Sequence, residues 1–240
     1  MNLDVLLQRQ GFGTRRGCRV LVHQGRVAVR GEVIDDPDTQ VEEEGTEFSV
    51  DGEAWIARGR VVLMMHKPVD YEVSRKPQHH PSVHSLLPEP LNARGVQAAG
   101  RLDTDTTGLL LFSDDGTLIH ALTSPKHEVH KTYDVTLVHP CTPELIHALK
   151  SGVQLHDEPG PLSAVSAAAT GPDTLHIVLR EGKYHQVKRM IGAAGNRVLA
   201  LHRPAVGSLS LPADLMPGEW RYLTNEELNR VWGAAPRARA

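Results

Sequence analysis

Cysteine is nearly absent from this 240-residue chain: Cys18 and Cys141 lie far apart and belong to no paired motif. Neither a disulfide framework nor a cysteine zinc site is indicated. Long apolar runs are missing too, since nothing approaches the ~18 consecutive apolar residues that cross a bilayer. The opening Met1-Asn-Leu-Asp4 has neither a basic leader nor a signal-type apolar core. A soluble, cytoplasmic protein without membrane contact is expected. No internal repeat is visible. A surplus of positive charge is also lacking: the formal net charge is −3, which on average argues against a nucleic-acid partner.

The average conceals a segregation. From Arg9 to Arg30 the bases Arg9, Arg15, Arg16, Arg19, Arg26 and Arg30 occur without an acid. From Glu32 to Glu53 acids occur without a base. A second basic group, Arg180, Lys183, Lys188, Arg189, Arg197 and Arg203, faces only Glu181. Two cationic patches on an acidic chain suit a polyanion held in one orientation, although either patch alone also reads as a solvated helix face.

The order of elements predicts an α+β fold. Residues 3–10 form a first helix, broken at Gly11-Phe12-Gly13. Thr14 caps a second that ends near His23, with Gly25 closing it. Arg15, Arg16 and Arg19 share a face of that second helix. Val27 to Val33 reads as two short strands about a tight turn. The acidic stretch ends at Asp51-Gly52-Glu53, and residues 51–60 look like a join before an apolar strand, Val61 to Met65. The Pro- and His-rich stretch 74–94 reads as loop with at most one helical turn near Leu86. His79, His80 and His84 there lack the carboxylate or thiolate partners of catalytic zinc motifs, so no metal is expected.

Leu109 to Phe112 is a continuous apolar run, fit for a strand buried on both faces and fed by an acid-bearing turn. Read alone, Asp103, Asp105 and Thr106 are turn residues. A helix follows from Gly116, with Asp114 or Asp115 as its cap. Lys131 to Val138 alternates as the clearest strand, Thr142-Pro143 opens a helix to about Lys150, and Thr174 to Arg180 is a further strand. His185 to Ala194 forms a basic helix, and Thr224-x-x-Glu227 is a capping box for the last one. Strands interspersed with single helices point to an α+β domain with a mixed, mainly antiparallel sheet. The tail after Gly233 should be disordered.

The pattern Leu-x-x-x-Leu…Gly-x-Gly-Thr-Arg-Arg…Val-x-x-Gly-Arg-Val-x-Val-x-Gly, from Leu3 to Gly31, resembles the S4-type RNA-binding module, named for a ribosomal protein. That resemblance implies that Arg15, Arg16, Arg19 and Arg26 contact phosphates. A second set of motifs falls in the order and spacing of the RsuA group of pseudouridine synthases: Lys67-Pro, Gly100-Arg-Leu-Asp-x-x-Thr-Thr-Gly-Leu-Leu-Leu, Lys131-Thr-Tyr133 and Glu181-Gly-Lys-Tyr-His-Gln-Val-Lys-Arg-Met190. Together the two resemblances cover nearly the whole chain. They imply an RNA-binding domain over 1–56, a catalytic domain over 60–233 and a tail at 234–240.

What the second resemblance implies is an enzyme that isomerises a uridine of 16S (small-subunit) ribosomal RNA. A 23S ribosomal RNA enzyme and a non-catalytic assembly factor are the alternatives, and the chain is expected to act as a monomer. Asp103 is the anionic group beside the anomeric carbon, attacking it or taking a neighbouring sugar proton. A cation must keep it ionised, and Lys188 aligns with that role, with Arg189 next in register. Tyr133 would stack on the loosened base and could move a proton. Arg101 would hold RNA backbone or fill the vacated stack, and Lys67 would also contact substrate. The reaction changes no oxidation state, so no cofactor or metal is required. Asp70 stands where the family usually carries glycine, in a turn that aspartate tolerates better than most residues.

Overall fold

The computed structural model describes residues 1–233, and the tail at 234–240 lies outside them. The chain divides into two compact units. The first comprises Met1–Val61, Leu87–Gln97 and Ser113–Asp115. It begins with α1 (Leu3–Arg9) and α2 (Arg15–His23), followed by β1 (Val27–Val29), β2 (Glu32–Val33), β3 (Glu47–Val50) and β4 (Glu53–Ile56). The four strands form one sheet in the order β2-β1-β3-β4, with every pair antiparallel.

Leu3, Leu6 and Leu7 recur at helical spacing and bury one face of α1 against Cys18, Val22, Val27, Phe48 and Val50. Phe12, from the turn between the helices, meets Phe48 and Trp55 edge to face at 5.5 and 5.4 Å. Thr14 caps α2 by accepting the Gly17 amide at 3.2 Å. The stretch 51–60, read from sequence as a join, begins instead as a hairpin: β3 and β4 turn at Asp51-Gly52, both with positive φ (52° and 84°). The Pro- and His-rich stretch holds the expected turn, a 3-10 segment at Val83–Leu86, and also a helix not foreseen, α3 (Glu89–Ala93).

Helix α3 explains why a segment so far along the chain belongs to the first unit. Arg94, at its end, donates to Asp114 at 2.6 Å, to Gln10 at 2.7 Å and to the Gly59 carbonyl at 3.0 Å. Gly11 has φ 93°, and a β-carbon there would lie 1.9 Å from the Pro90 carbonyl oxygen, so only glycine permits this approach. Asp114 accepts from Arg94 and from the Val61 amide, so it serves these contacts rather than the helix after it.

The second unit is built on a nine-stranded sheet. Its strands are β5 (Val62–Lys67), β6 (Gln97–Ala98), β7 (Thr106–Ser113), β8 (Lys131–Leu137), β9 (Ser166–Ala169), β10 (Thr174–Leu179), β11 (Val198–Val206), β12 (Leu209–Ser210) and β13 (Trp220–Tyr222). The main order is β13-β5-β7-β11-β8-β10-β9, with β12 beside β11 and β6 beside β7. The β7–β11 pair is parallel, whereas β13–β5, β11–β8, β8–β10 and β10–β9 are antiparallel, which is the mixed α+β architecture.

Leu109 to Phe112 of β7 is buried throughout, as a continuous apolar run requires. Each such side chain contributes roughly 1.5–3 kcal/mol by leaving water. Four helices complete the unit: α4 (Gly116–Thr123), α5 (Pro143–Ser151), α6 (Gln186–Ala193) and α7 (Asn225–Arg230). Leu118 and Leu122 of α4 and Leu228 of α7 enter a core with Val62, Met64, Leu109 and Leu111. Helix α6 packs against α5 and β11, and that fixes the position of its basic residues.

Candidate active site

Asp103 lies on the loop that enters β7, and the loop is pinned from below. Lys67 is fully buried, and its ammonium donates to the carbonyls of Pro68 at 2.8 Å, Thr104 at 3.2 Å and Thr106 at 3.0 Å. The substrate contact expected of Lys67 is therefore corrected: with no exposed surface and its donors taken, it positions the aspartate loop. Burial pulls this ammonium down to about 8, against the attraction of Asp105, Asp103 and Asp70. Asp70 adopts the left-handed conformation, φ 62°, and its amide donates to Thr104 O at 2.9 Å, so the turn forms with aspartate in place. Gly108 completes the support, because a β-carbon there would lie 2.3 Å from the Arg203 carbonyl oxygen across the parallel pair.

Helix α6 brings the cation. Lys188 Nζ sits 2.9 Å from Asp103 Oδ2 and 2.6 Å from Asp105 Oδ1. Burial alone would lower the Lys188 ammonium, but its bonds to Asp105 and Asp103 outweigh that and raise it. Asp105 is resisted by burial yet held below the ordinary carboxylate range by Lys188. The geometry decides the register between neighbouring cations. Arg189 points away, pairing with Asp157 and donating to the Tyr184 carbonyl at 3.1 Å.

His185 was not anticipated as a site residue. Its Nε2 is 3.2 Å from Asp103 Oδ1, so each carboxylate oxygen has its own partner. His185 occupies the N-cap of α6 in the left-handed conformation, φ 47°, an uncommon backbone state for histidine. Its ring stacks on the exposed Tyr184 at 3.8 Å. Asp105, which the sequence marks only as a turn acid, was missed in the same way.

Asp103, His185 and Lys188 face a cavity of about 120 Å³. It is lined by Asp103, Arg101 and Thr106 from the loop and the start of β7, Tyr133 and Lys131 from β8, Arg203 from β11, and His185 and Lys188. Tyr133 is buried, as a ring forming a wall should be, while Arg101 is exposed. Arg203 is buried and donates from Nε to Leu109 O at 2.9 Å. Thr106 Oγ1 is buried without a hydrogen-bond partner among the described residues. The volume is small against the ~300–1,000 Å³ of drug-sized pockets, and it suits a single planar ring.

The remaining candidates belong to the first unit. Arg15 Nε and Arg19 both donate to the fully buried Asp4, at 2.9 and 3.0 Å, and Arg19 also grips Asp38 through both carboxylate oxygens. Burial pushes Asp4 up, but the bonds from Arg15 and Arg19 hold it below its ordinary range. Arg26 makes a two-point pair with Asp51 at 2.7 and 2.6 Å, and Arg16 is exposed. The expected arginines thus gather on one small module, three of them already paired with its own acids.

Comparison with known proteins agrees with both halves. The family model described as RNA pseudouridylate synthase matches residues 61–193, and the S4 domain model matches residues 1–47. A protein of Vibrio parahaemolyticus named ribosomal small subunit pseudouridine synthase A is 39% identical, over 97% of this chain and 100% of its own length. The protein of that name from Escherichia coli K12 is also 39% identical, over 96% of this chain and 100% of its own length. A crystal structure of a pseudouridylate synthase superposes with a TM-score of 0.68 at 33% identity, covering 96% of this chain and 99% of the other.

Proposed function

The chain belongs to the RNA pseudouridylate synthase family, and from that premise we propose that it isomerises a uridine of small-subunit ribosomal RNA, with Asp103 as the reacting carboxylate. The observation that carries this reading is the Lys188–Asp103 contact of 2.9 Å inside a cavity walled by Tyr133. Lys188 and His185 each hold one oxygen of the Asp103 carboxylate and so fix its direction. The carboxylate then serves the anomeric carbon or the adjoining sugar proton. The target base has to leave its stack to reach so small a cavity, and Tyr133 gives it a ring to lie against. Base–aromatic stacking is worth ~1–3 kcal/mol. Arg101, exposed at the mouth, contacts the RNA backbone.

The choice of small-subunit RNA rests on relatives that carry that name over their whole length. Arg15, Arg16, Arg19 and Arg26 hold the folded RNA through its phosphates, with base pairing and shape presenting the uridine. Reaction of the purified chain with small- and large-subunit RNA, followed by mapping of pseudouridine, tests both parts. Product in the small-subunit RNA is expected. Asp103→Asn should form none while its RNA affinity stays within a few-fold. Product only in the large-subunit RNA would overturn the substrate, and a fully active Asp103→Asn would overturn the mechanism. An assembly factor without activity would give no product with the unaltered chain.

A further inference from the structure

The lysines around the cavity differ in what they touch. Lys67 is committed to three carbonyls, Lys188 to Asp103 and Asp105, and Lys183 to Glu158 and Glu181. Lys131 lines the same cavity and is half-buried, yet among the described residues its ammonium has neither a hydrogen bond nor an ion pair. It stands two positions before Tyr133 on β8, so both side chains leave the strand on the same face. An ammonium withdrawn from water without an acceptor is disfavoured, and the free amine gains.

The charges facing it reinforce this. Arg203 on β11 repels the ammonium and Glu181 attracts it. Asp103 and Arg101 on the entering loop, Tyr133 beside it on β8, and Lys183, His185 and Lys188 at α6 complete the surroundings. Burial, with Arg203 behind it, pulls Lys131 down to about 8. A useful share of free amine is therefore present near neutral pH.

We propose that Lys131 is the base that removes the C5 proton of the uracil after the base has been rejoined to its sugar. This deepens the reading given under Proposed function and rests on it. However Asp103 releases the base, rejoining through carbon leaves C5 carrying both the sugar and its original hydrogen, while N1 has no proton. The Lys131 amine takes the hydrogen from C5 as a proton. The C–H electron pair forms the C5=C6 double bond and the C6=N1 pair moves onto N1, which takes a proton from water. The Lys131 ammonium returns its own proton to water, so carboxylate and amine are both restored. A free amine is a better acceptor for a carbon-bound proton than a neutral phenol, which leaves the Tyr133 ring to hold the base.

The test uses the full chain and two RNAs, one with uridine and one with 5-fluorouridine at the target. Fluorine at C5 cannot leave as a proton, so the second RNA reports only bond breaking and rejoining. Lys131→Gln should lower kcat for pseudouridine by about 10²–10³-fold and leave consumption of the 5-fluorouridine RNA within a few-fold. Lys131→Arg keeps the cation but not the base, and should resemble Lys131→Gln. With uridine deuterated at C5, the unaltered enzyme should gain rate with pH and level off above about 8, and Lys131→Gln should lose that limb. Equal losses on both RNAs, or full activity of either variant, would overturn the proposal. Asp103→Asn separates the two readings: it should stop both reactions, and if it did not, the reading of Asp103 would fail and not that of Lys131.

Discussion

Two kinds of cation–carboxylate pair stand in this molecule, and their surroundings give them different uses. In the N-terminal module Arg26 and Asp51 are about half exposed, at 45% and 54%, and so is Asp38 opposite Arg19. In the cavity Lys188 and Asp103 retain 26% and 27%. Pairs in water are screened and exchange readily, so a phosphate can displace the acid from the arginine. A pair shielded from water is screened less and persists, so it holds its carboxylate in one place. Asp4 combines the two: fully buried, it accepts from both Arg15 and Arg19, and Arg19 reaches on from it to the half-exposed Asp38.

The sharpest way to break the comparison is to remove the cation that should matter most. Lys188→Met removes the ammonium that both Asp103 and Asp105 contact and leaves Asp103 with His185 as its remaining partner. Pseudouridine formation should fall by about 10²–10⁴-fold, with RNA affinity changed only a few-fold. Lys188→Arg should recover part of the rate. Undiminished turnover by Lys188→Met would mean that the pair is structural.

How much of this was legible in the sequence depends on how local each signal is. The Leu109–Phe112 run, the alternation of β8, the Thr14 cap and the Thr224 capping box are written in adjacent residues, and each formed as read. Strand β11 was not read as one element because polar residues and Pro204 interrupt it. Pro204 is accommodated within a register shift between His202 and Ala205, where a missing amide breaks no ladder bond. The Asp51-Gly52 turn was readable in principle, since Asp-Gly between short strands is a hairpin signal, but the acidic composition masked it.

In the cavity, Asp103, Tyr133 and Lys188 were assembled by resemblance, and the choice between Lys188 and Arg189 had to wait for α6. Neighbours on a helix point about 100° apart, so one residue of uncertainty in the start exchanges their faces. Lys131 and His185 stood inside quoted motifs without a role and Asp105 was only a turn acid, because each matters only through what the fold sets beside it. Lys67 was misread for the same reason: nothing in Lys-Pro says that the ammonium turns inward onto three carbonyls.

A smaller effect should follow from the exposed arginines. Arg26→Gln removes the phosphate contact that the proposed function assigns to Arg26, so RNA affinity at low salt should drop several-fold and the slope of log K against log salt should shallow by about 0.7–0.9. The rate at saturating RNA should stay unchanged, because Arg26 lies outside the cavity. A fall in that saturated rate without a change in slope would contradict the division of labour between the two kinds of pair.

The smallest expected effect is the most discriminating, because it predicts a gain. Asp51 holds Arg26 at two points and occupies the donors that a phosphate would use. Asp51 also keeps a left-handed backbone, φ 52°, ahead of Gly52, and asparagine tolerates that conformation equally well. Asp51→Asn therefore preserves the turn while removing the competing charge. RNA affinity should rise by a few-fold at low salt, and the gain should fade as salt screens the original pair. Loss of affinity in this variant would show that Asp51 aims Arg26 at the phosphate rather than competing with it, and the exposed pairs would then be positioning devices like the one in the cavity.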